Sequence, residues 1–275
     1  MKILVTGCSG FIGRPITRQL LDSGHEVLGI SRQESGFTDP GFHACLCDFT
    51  CWGLLDGAAR SFQPEAFIHA AWHQTHDYSE PACRINLMAG LNLFQFAFSL
   101  PSIRQVVGLG SCLEHEPKST WFTWCKNALR EAGHLHSETS GKGFRWLRVF
   151  YAYGPDQRPA ALIPSLLATA RAGRPLECAH PDRACDFVHV SDVATAAIRA
   201  TLVEDPAALD FDCGSAQPRR LRDVMDCVQA AWEGRAEEPP VTQGLAADLS
   251  PPSERLGWSP RISLSNGISE LIEKP

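Results

Sequence analysis

The segment Thr6-Gly7-Cys8-Ser9-Gly10-Phe11-Ile12-Gly13 restricts this chain more than any other. It follows a short apolar run, Lys2–Val5, and opens a stretch in which Ile12, Ile16 and Leu20 recur at helical spacing until Gly24 stops it. Glycines placed between a strand and an amphipathic helix suit a diphosphate. Gly7 permits the tight turn, Gly10 lets the backbone approach a pyrophosphate, and Gly13 lets helix and strand pack closely. Phe11 and Ile12 lie in the turn between them. The helix N-terminus adds unpaired N–H groups and the positive end of a dipole.

The rest of the first half continues in the same style. Glu26–Ile30, His43–Cys47, Ala66–Ala70, Gln105–Leu109 and Phe144–Phe150 read as strands. Ile12–Ser23, Asn86–Leu100 and Phe122–Thr139 read as helices. Strands alternating with helices predict an α/β fold, a doubly wound parallel sheet of the Rossmann type. Past Pro155 the pattern loosens into prolines and short helices, with a strand at Asp186–Val190. The expected organisation is a dinucleotide-binding domain over residues 1–155 and a smaller, interleaved C-terminal substrate lobe over 156–275. Residues 184–203 are expected to return to the first domain.

Bulk properties narrow the partners. Of 275 residues, 44% are hydrophobic and 20% charged, as in a globular protein. The formal net charge of -6, with scattered Lys and Arg, argues against a nucleic-acid partner. The densest basic run, Arg219-Arg220-Leu221-Arg222, reads as the solvated start of a helix. No stretch approaches the roughly 20 apolar residues that a membrane span needs. Met1–Val5 reads as a strand and not as a signal peptide, so a cytoplasmic location is expected. The 11 cysteines are an odd number for a disulfide framework and read as small buried hydrophobes. Cys45, Cys47 and Cys51 lack a second matching pair, and His73, His76 and Asp77 read as a polar loop; no metal is expected.

The end of the second strand selects the dinucleotide. An acidic residue there would bind the ribose 2′-OH of NAD. The chain instead has Ser31-Arg32, a hydroxyl donor and a guanidinium suited to a 2′-phosphate, which predicts NADP(H).

These segments resemble the extended short-chain dehydrogenase/reductase family, which includes nucleotide-sugar epimerases, dehydratases and 4-ketoreductases. Gly7–Gly13 is similar to its TGxxGFIG motif, and Cys47-Asp48-Phe49 to its adenine-holding pair. Phe67-Ile68-His69-Ala70-Ala71 resembles the HxAA strand that lines the cofactor, with Trp72 following. Asn86 sits in a segment like N-V-x-G-T. Arg148–Pro155, Arg183–Val193 and Leu256–Pro260 resemble R-x-x-N-x-Y-G-P, R-D-F-x-x-V-x-D-V and LGWxP. The likeness runs in order along almost the whole chain. It implies that Asp48, Phe49, Ala70, Ala71, Trp72, Asn86 and Lys126 contact the cofactor.

The resemblance fails at the active site. The family uses Tyr-x-x-x-Lys, stacked on one helical face, with a Ser or Thr upstream. The Lys lowers the phenol pKa, and the phenol trades a proton with substrate while hydride moves. Here Lys126 is present, but Phe122 stands four residues before it. None of the five lysines (2, 118, 126, 142, 274) has a tyrosine at that spacing, and the three tyrosines are Tyr78, Tyr151 and Tyr153. Ser111 or Cys112 matches the Ser/Thr position. Lys126 lies only 15 positions after Ser111, a shorter connection than the resemblance implies.

Three readings follow. In the first, the protein is an NADP(H)-dependent reductase of a keto group on a nucleotide-linked sugar or similar metabolite. Its proton would come from Tyr151, His115, Cys112 or water. Positioning alone can drive hydride transfer to a reactive ketone, which favours this reading. In the second, it is a nucleotide-sugar epimerase or dehydratase with Glu114 or His115 as base. In the third, it binds NADP(H) without turnover. A natural-product ketone fits the shortened loop equally well. The apolar stretches Leu87–Phe98 and Ala128–His136 are candidates to pair two copies in a homodimer.

Overall fold

The computed structural model describes residues 1–48, 52–116, 120–235 and 237–273; for Trp52 only the backbone is described. The elements run β1 (Lys2–Thr6), α1 (Gly13–Asp22), β2 (Glu26–Ser31), β3 (Phe42–Leu46), α2 (Trp52–Phe62), β4 (Ala66–His69), α3 (Glu80–Ser99) and β5 (Gln105–Ser111). A single 3-10 turn, Cys112–His115, precedes α4 (Trp121–Ser140) and β6 (Gly143–Val149). Then come β7 (Tyr151–Tyr153), α5 (Leu162–Arg171), β8 (Ala184–His189), α6 (Val190–Leu202) and β9 (Ala208–Cys213). The chain ends with β10 (Pro218–Arg220), α7 (Leu221–Trp232), α8 (Ser250–Leu256) and α9 (Leu264–Glu273).

Two compact units form. The first comprises Met1–Arg148 and Ala194–Phe211, the second Val149–Val193 and Asp212–Pro275. In the first, a seven-stranded sheet has the order β3-β2-β1-β4-β5-β6-β9. β1 pairs in parallel with β2 and with β4, β2 with β3, and β4 with β5. The fold is the expected Rossmann-like α/β sheet flanked by helices. The strand order reverses between β1 and β4, so the crevice at their carboxyl ends is where such a sheet takes a ligand.

Local chemistry explains the helices. In α1, Ile16, Leu20 and Leu21 are buried on one face, and Gly24 ends it at φ 76°. Thr120 and Thr123 cap α4 reciprocally, and Gly141 closes it in the left-handed conformation. α3 and α4 approach closely at Gly90, where a Cβ would come within 2.6 Å of Leu129. At the β6 edge, Arg145 has no exposed surface; its Nη1 donates to the Ala207 carbonyl and its Nη2 to that of Asp205 at 2.8 Å.

The second unit holds a three-stranded sheet, β10-β8-β7. β8 runs parallel to β7, with Tyr151 opposite Phe187, and antiparallel to β10, with Pro218 opposite Asp186. This corrects the expected boundaries: β8 does not return to the first unit, which ends at Arg148 and resumes at Ala194. Asp186 fixes β8 in place. Fully buried, it accepts the N–H groups of Ser215, Ala216 and Ala247 at 2.8, 3.0 and 2.9 Å. Asp192 performs the same service for the LGWxP segment. Its carboxylate accepts the Arg261 and Ile262 N–H groups at 3.0 and 2.9 Å, and its carbonyl accepts Trp258 Nε1–H at 3.1 Å. Arg219 is another correction. It is 4% exposed and paired with Glu238 at 3.0 Å, not solvated, whereas Arg220 and Arg222 are exposed.

Candidate functional site

The glycines divide their work. Gly7 sits at φ 71°, and a Cβ there would lie 2.9 Å from the Ala71 backbone. A Cβ on Gly13 would lie 2.0 Å from the Gly7 carbonyl oxygen. Both glycines therefore permit close packing, of loop on the β4 end and of helix on loop. Gly10 is different: it is exposed, and the nearest atom to its Cβ would be the Gly7 oxygen at 3.2 Å. A side chain there would fill the cradle itself. Phe11 and Ile12 are half-buried in the turn; no side chain caps α1 at Ile12, and the Arg14 N–H donates to the Gly10 carbonyl at 2.9 Å. The Ala70 N–H donates to the Thr6 carbonyl at 3.3 Å, which ties the β4 exit to the glycine loop. These residues fit the diphosphate of a dinucleotide.

At the end of β2 the structure separates the two expected 2′-phosphate ligands. Ser31 is buried and donates its hydroxyl proton to the Gln33 carbonyl at 2.5 Å. A hydroxyl has one proton, so Ser31 is withdrawn as a phosphate donor. Arg32 is exposed, with Nη1 2.9 Å from His73 Nδ1. Asp48 is exposed, and Phe49 lies outside the described residues. Sequence reasoning missed Arg14 on α1. Its Nη1 donates to the Ser35 carbonyl at 3.0 Å and its guanidinium covers Phe37, which anchors the loop after β2.

The loop leaving β4 is fixed from α3. Asn86 accepts the His73 N–H at 2.6 Å and donates to the His73 and Ala82 carbonyls at 2.9 and 2.8 Å. Both amide protons are engaged within the chain. Asn86 thus shapes the cofactor-side loop in place of the direct contact expected of it. Beneath it, buried His69 meets Thr6 Oγ1 at 2.8 Å, and burial, aided by the Lys126 charge, lowers its pKa to about 3, which keeps it neutral.

Helix α4 aims Lys126 into the first unit. Its Nζ donates to the Leu109 carbonyl at 2.7 Å and lies 4.0 Å from the Trp72 ring centroid, 5.8 Å from that of Phe122 and 5.9 Å from that of Trp146. Burial pulls its pKa down to about 8, against the opposing charge of Glu114. Trp72 Nε1 is a buried donor with no partner among the described residues. An orphaned donor beside a buried ammonium, at the end of β4, calls for an acceptor such as a ribose or sugar hydroxyl. Phe122, 8% exposed, receives the Trp72 ring edge-on at 5.3 Å and the Tyr78 ring face-on at 4.5 Å.

The other proposed acid–base groups fare unequally. Ser111 is half-buried, with its hydroxyl accepting the Leu113 N–H at 3.3 Å. Cys112 is 3% exposed, which withdraws it as a substrate-facing thiol. Glu114 is withdrawn as a base. Its side chain is fully buried, accepts the Ser111 N–H at 2.7 Å and Trp146 Nε1–H at 2.9 Å, and faces Arg148 at 3.6 Å. His115 is exposed on the 3-10 turn. Tyr151 belongs to the second unit, where Arg183 donates to its hydroxyl at 2.6 Å. The same unit has a pocket of about 180 Å³ lined by Phe187, Gln217, Arg219, Glu238 and Arg261. Among the described residues no cluster of three metal-ligating side chains occurs, and no helix is long and apolar enough to cross a membrane.

Known proteins agree with this architecture. The chain is 40% identical over 344 aligned positions to dTDP-L-rhamnose 4-epimerase of Burkholderia thailandensis, covering 98% of this chain and 93% of that protein. UDP-glucose 4-epimerase of Thermotoga maritima, solved with UDP-glucose, superimposes with a TM-score of 0.84 at 19% identity, over 99% of this chain and 98% of that one. A Tyr→Phe variant of UDP-glucuronic acid 4-epimerase from Bacillus cereus, solved with a fluorinated sugar nucleotide and NAD, gives 0.81 at 19% identity, over 98% and 97%. Residues 3–210 match the NAD dependent epimerase/dehydratase family. The chain belongs to that family.

Proposed function

We propose that this protein is an enzyme that oxidises and re-reduces a secondary hydroxyl of a nucleotide-linked sugar, the chemistry of an epimerase or dehydratase. One observation carries the reading: Lys126 is buried on α4 beside the orphaned Trp72 donor. That pair is suited to hold the nicotinamide ribose and the sugar that reacts above it. The second unit supports a nucleotide substrate, because its pocket offers Arg261 to a diphosphate and the Phe187 ring to a base. One-way reduction of a ketone with NADP(H) is the weaker reading, since the 40%-identical relative is an epimerase.

A bound nicotinamide dinucleotide supplies the hydride acceptor and donor. The chain's own residues bind its phosphates at Gly10, anchor its ribose through Lys126 and orient the sugar. With no acid at the end of β2, Arg32 gives a 2′-phosphate a cation to meet. The preference for NADP(H) over NAD(H) therefore rests on one side chain. A cytoplasmic setting keeps cysteines reduced and suits the free thiols of this chain. A second copy is proposed to cover Ile85 and Met88 of α3 and Trp124 and Leu135 of α4, all exposed; sedimentation velocity would show a dimer.

Incubation with UDP- and dTDP-hexoses plus either dinucleotide tests the reading. An isomerised or dehydrated sugar with no net change in the cofactor supports it. Stoichiometric loss of reduced cofactor would show a reductase. Tight ligand binding with no product would show a binding protein.

A further inference from the structure

The helix that carries Lys126 has no phenol one turn before it, yet a tyrosine ring from another element rests on the Phe122 that stands there. Tyr78, in the loop from β4 to α3, lies flat on Phe122, with ring centroids 4.5 Å apart and planes inclined by 16°. The same Phe122 ring is touched by Trp72, and the Lys126 ammonium sits over Trp72. All four side chains belong to the first unit. Core packing accounts for Phe122. Tyr78, by contrast, keeps 44% of its surface exposed while resting on that buried ring.

The loop is built to hold Tyr78 still. Asn86 clamps both backbone groups of His73. Gln74 takes a left-handed φ of 53°, and its carbonyl accepts the Asp77 N–H at 2.9 Å. The Asp77 carboxylate accepts the Ser79 N–H at 2.8 Å, and the Ser79 carbonyl accepts the Cys83 N–H at 3.0 Å. Tyr78 is thus fastened on both sides, by a turn before it and by the start of α3 after it.

We propose that Tyr78 is the catalytic phenol of this enzyme, delivered to the Lys126 face by stacking on Phe122. The proposal rests on the reading that a sugar hydroxyl is oxidised and re-reduced. In the oxidative direction the carbinol C–H bond breaks and its electron pair leaves as hydride to the nicotinamide of an oxidised dinucleotide. The O–H proton passes to the Tyr78 phenolate, and the C=O bond forms. Reduction returns the hydride to carbon and the proton from Tyr78 to oxygen. Phe122 becomes the floor on which the working ring rests.

Two measurements test this on the whole chain. Tyr78→Phe keeps the stacked ring and removes the hydroxyl. With a nucleotide sugar that turns over, kcat should fall by about 10²–10⁴ while dinucleotide affinity stays unchanged. Turnover equal to wild type, or the same fall in Tyr151→Phe instead, overturns the proposal and leaves the proposed function standing. The second readout needs no turnover. Tetranitromethane nitration, located by peptide mass spectrometry, should mark Tyr78, and NAD⁺ or NADP⁺ together with UDP-glucose should protect it. If no nucleotide sugar reacts, the proposed function fails by itself. Nitration then decides on Tyr78: protection supports its place in the ligand site, and equal nitration with both ligands present overturns it.

Discussion

Replacing Lys126 with Met should make the ligand-free protein more stable while weakening its hold on the dinucleotide. The buried ammonium titrates at about 8 in place of 10.5, so carrying its charge at neutral pH costs about 3 kcal/mol relative to the unfolded chain. Met fills a similar volume without a charge. The substitution also strips the Leu109 carbonyl of its donor, a loss of about 1–2 kcal/mol. The net gain expected is about 1–2 kcal/mol, or a few degrees in Tm for a chain of this size. The sign of the pH dependence follows from linkage. Between the folded value of about 8 and the unfolded 10.5, the unfolded state binds more protons, so wild-type stability rises with pH there. The advantage of Lys126→Met should shrink over that window. Urea unfolding of both proteins at neutral and alkaline pH measures it. A variant that is less stable at neutral pH, by an amount independent of pH, would refute the reasoning. Dinucleotide affinity should fall by about 1.5–3 kcal/mol, as for a hydrogen bond to a charged group.

Further outcomes follow from the same geometry. Gly10→Val should fold normally and lose dinucleotide binding by isothermal titration, because only the Gly7 oxygen stands near the new side chain; normal binding would mean the loop is not the cradle. NADPH should raise Tm more than NADH at equal concentration, and Arg32→Ala should abolish that difference and leave NADH binding intact. Equal shifts in the wild type would remove Arg32 as a selector. Glu114→Ala should destabilise the fold by about 1–3 kcal/mol, because the Ser111 N–H and Trp146 Nε1–H lose their acceptor while Arg148 keeps Asp210 at 2.7 Å. Wild-type stability with lost turnover would return Glu114 to the role of base.

The parts of this molecule legible in the sequence are those whose physics is local. The β1–α1 loop could be read because its glycines, strand and helix are contiguous. α2 escaped notice because Gly53 and Gly57 dilute its helical signal. α3 begins at Glu80, not Asn86, and Ser79-Glu80-Pro81 was the readable start signal. The remaining site features join distant residues. Nothing in the vicinity of Asn86 shows that its amide closes on His73, and nothing near Phe122 shows Tyr78 on its face. Arg219 looked solvated because a run of arginines usually is; its burial depends on Glu238, which a later loop supplies. The second unit was hardest because its short elements are stapled by Asp186 and Asp192, each reaching far along the chain.

Arg145 gives the order of synthesis a physical meaning. Its guanidinium is enclosed at the β6 edge by carbonyls of Asp205 and Ala207, made some sixty residues later. A nascent chain that has emerged only to β6 therefore carries this guanidinium without its Asp205 and Ala207 acceptors, along an open strand edge. It cannot seal that edge until the whole of β7 through α6 has been translated. Through that interval the open edge is a template for stray pairing, and the cost of desolvating the Arg145 guanidinium before those two acceptors exist opposes it until β9 arrives. The cation that completes the finished sheet thus also guards the unfinished one.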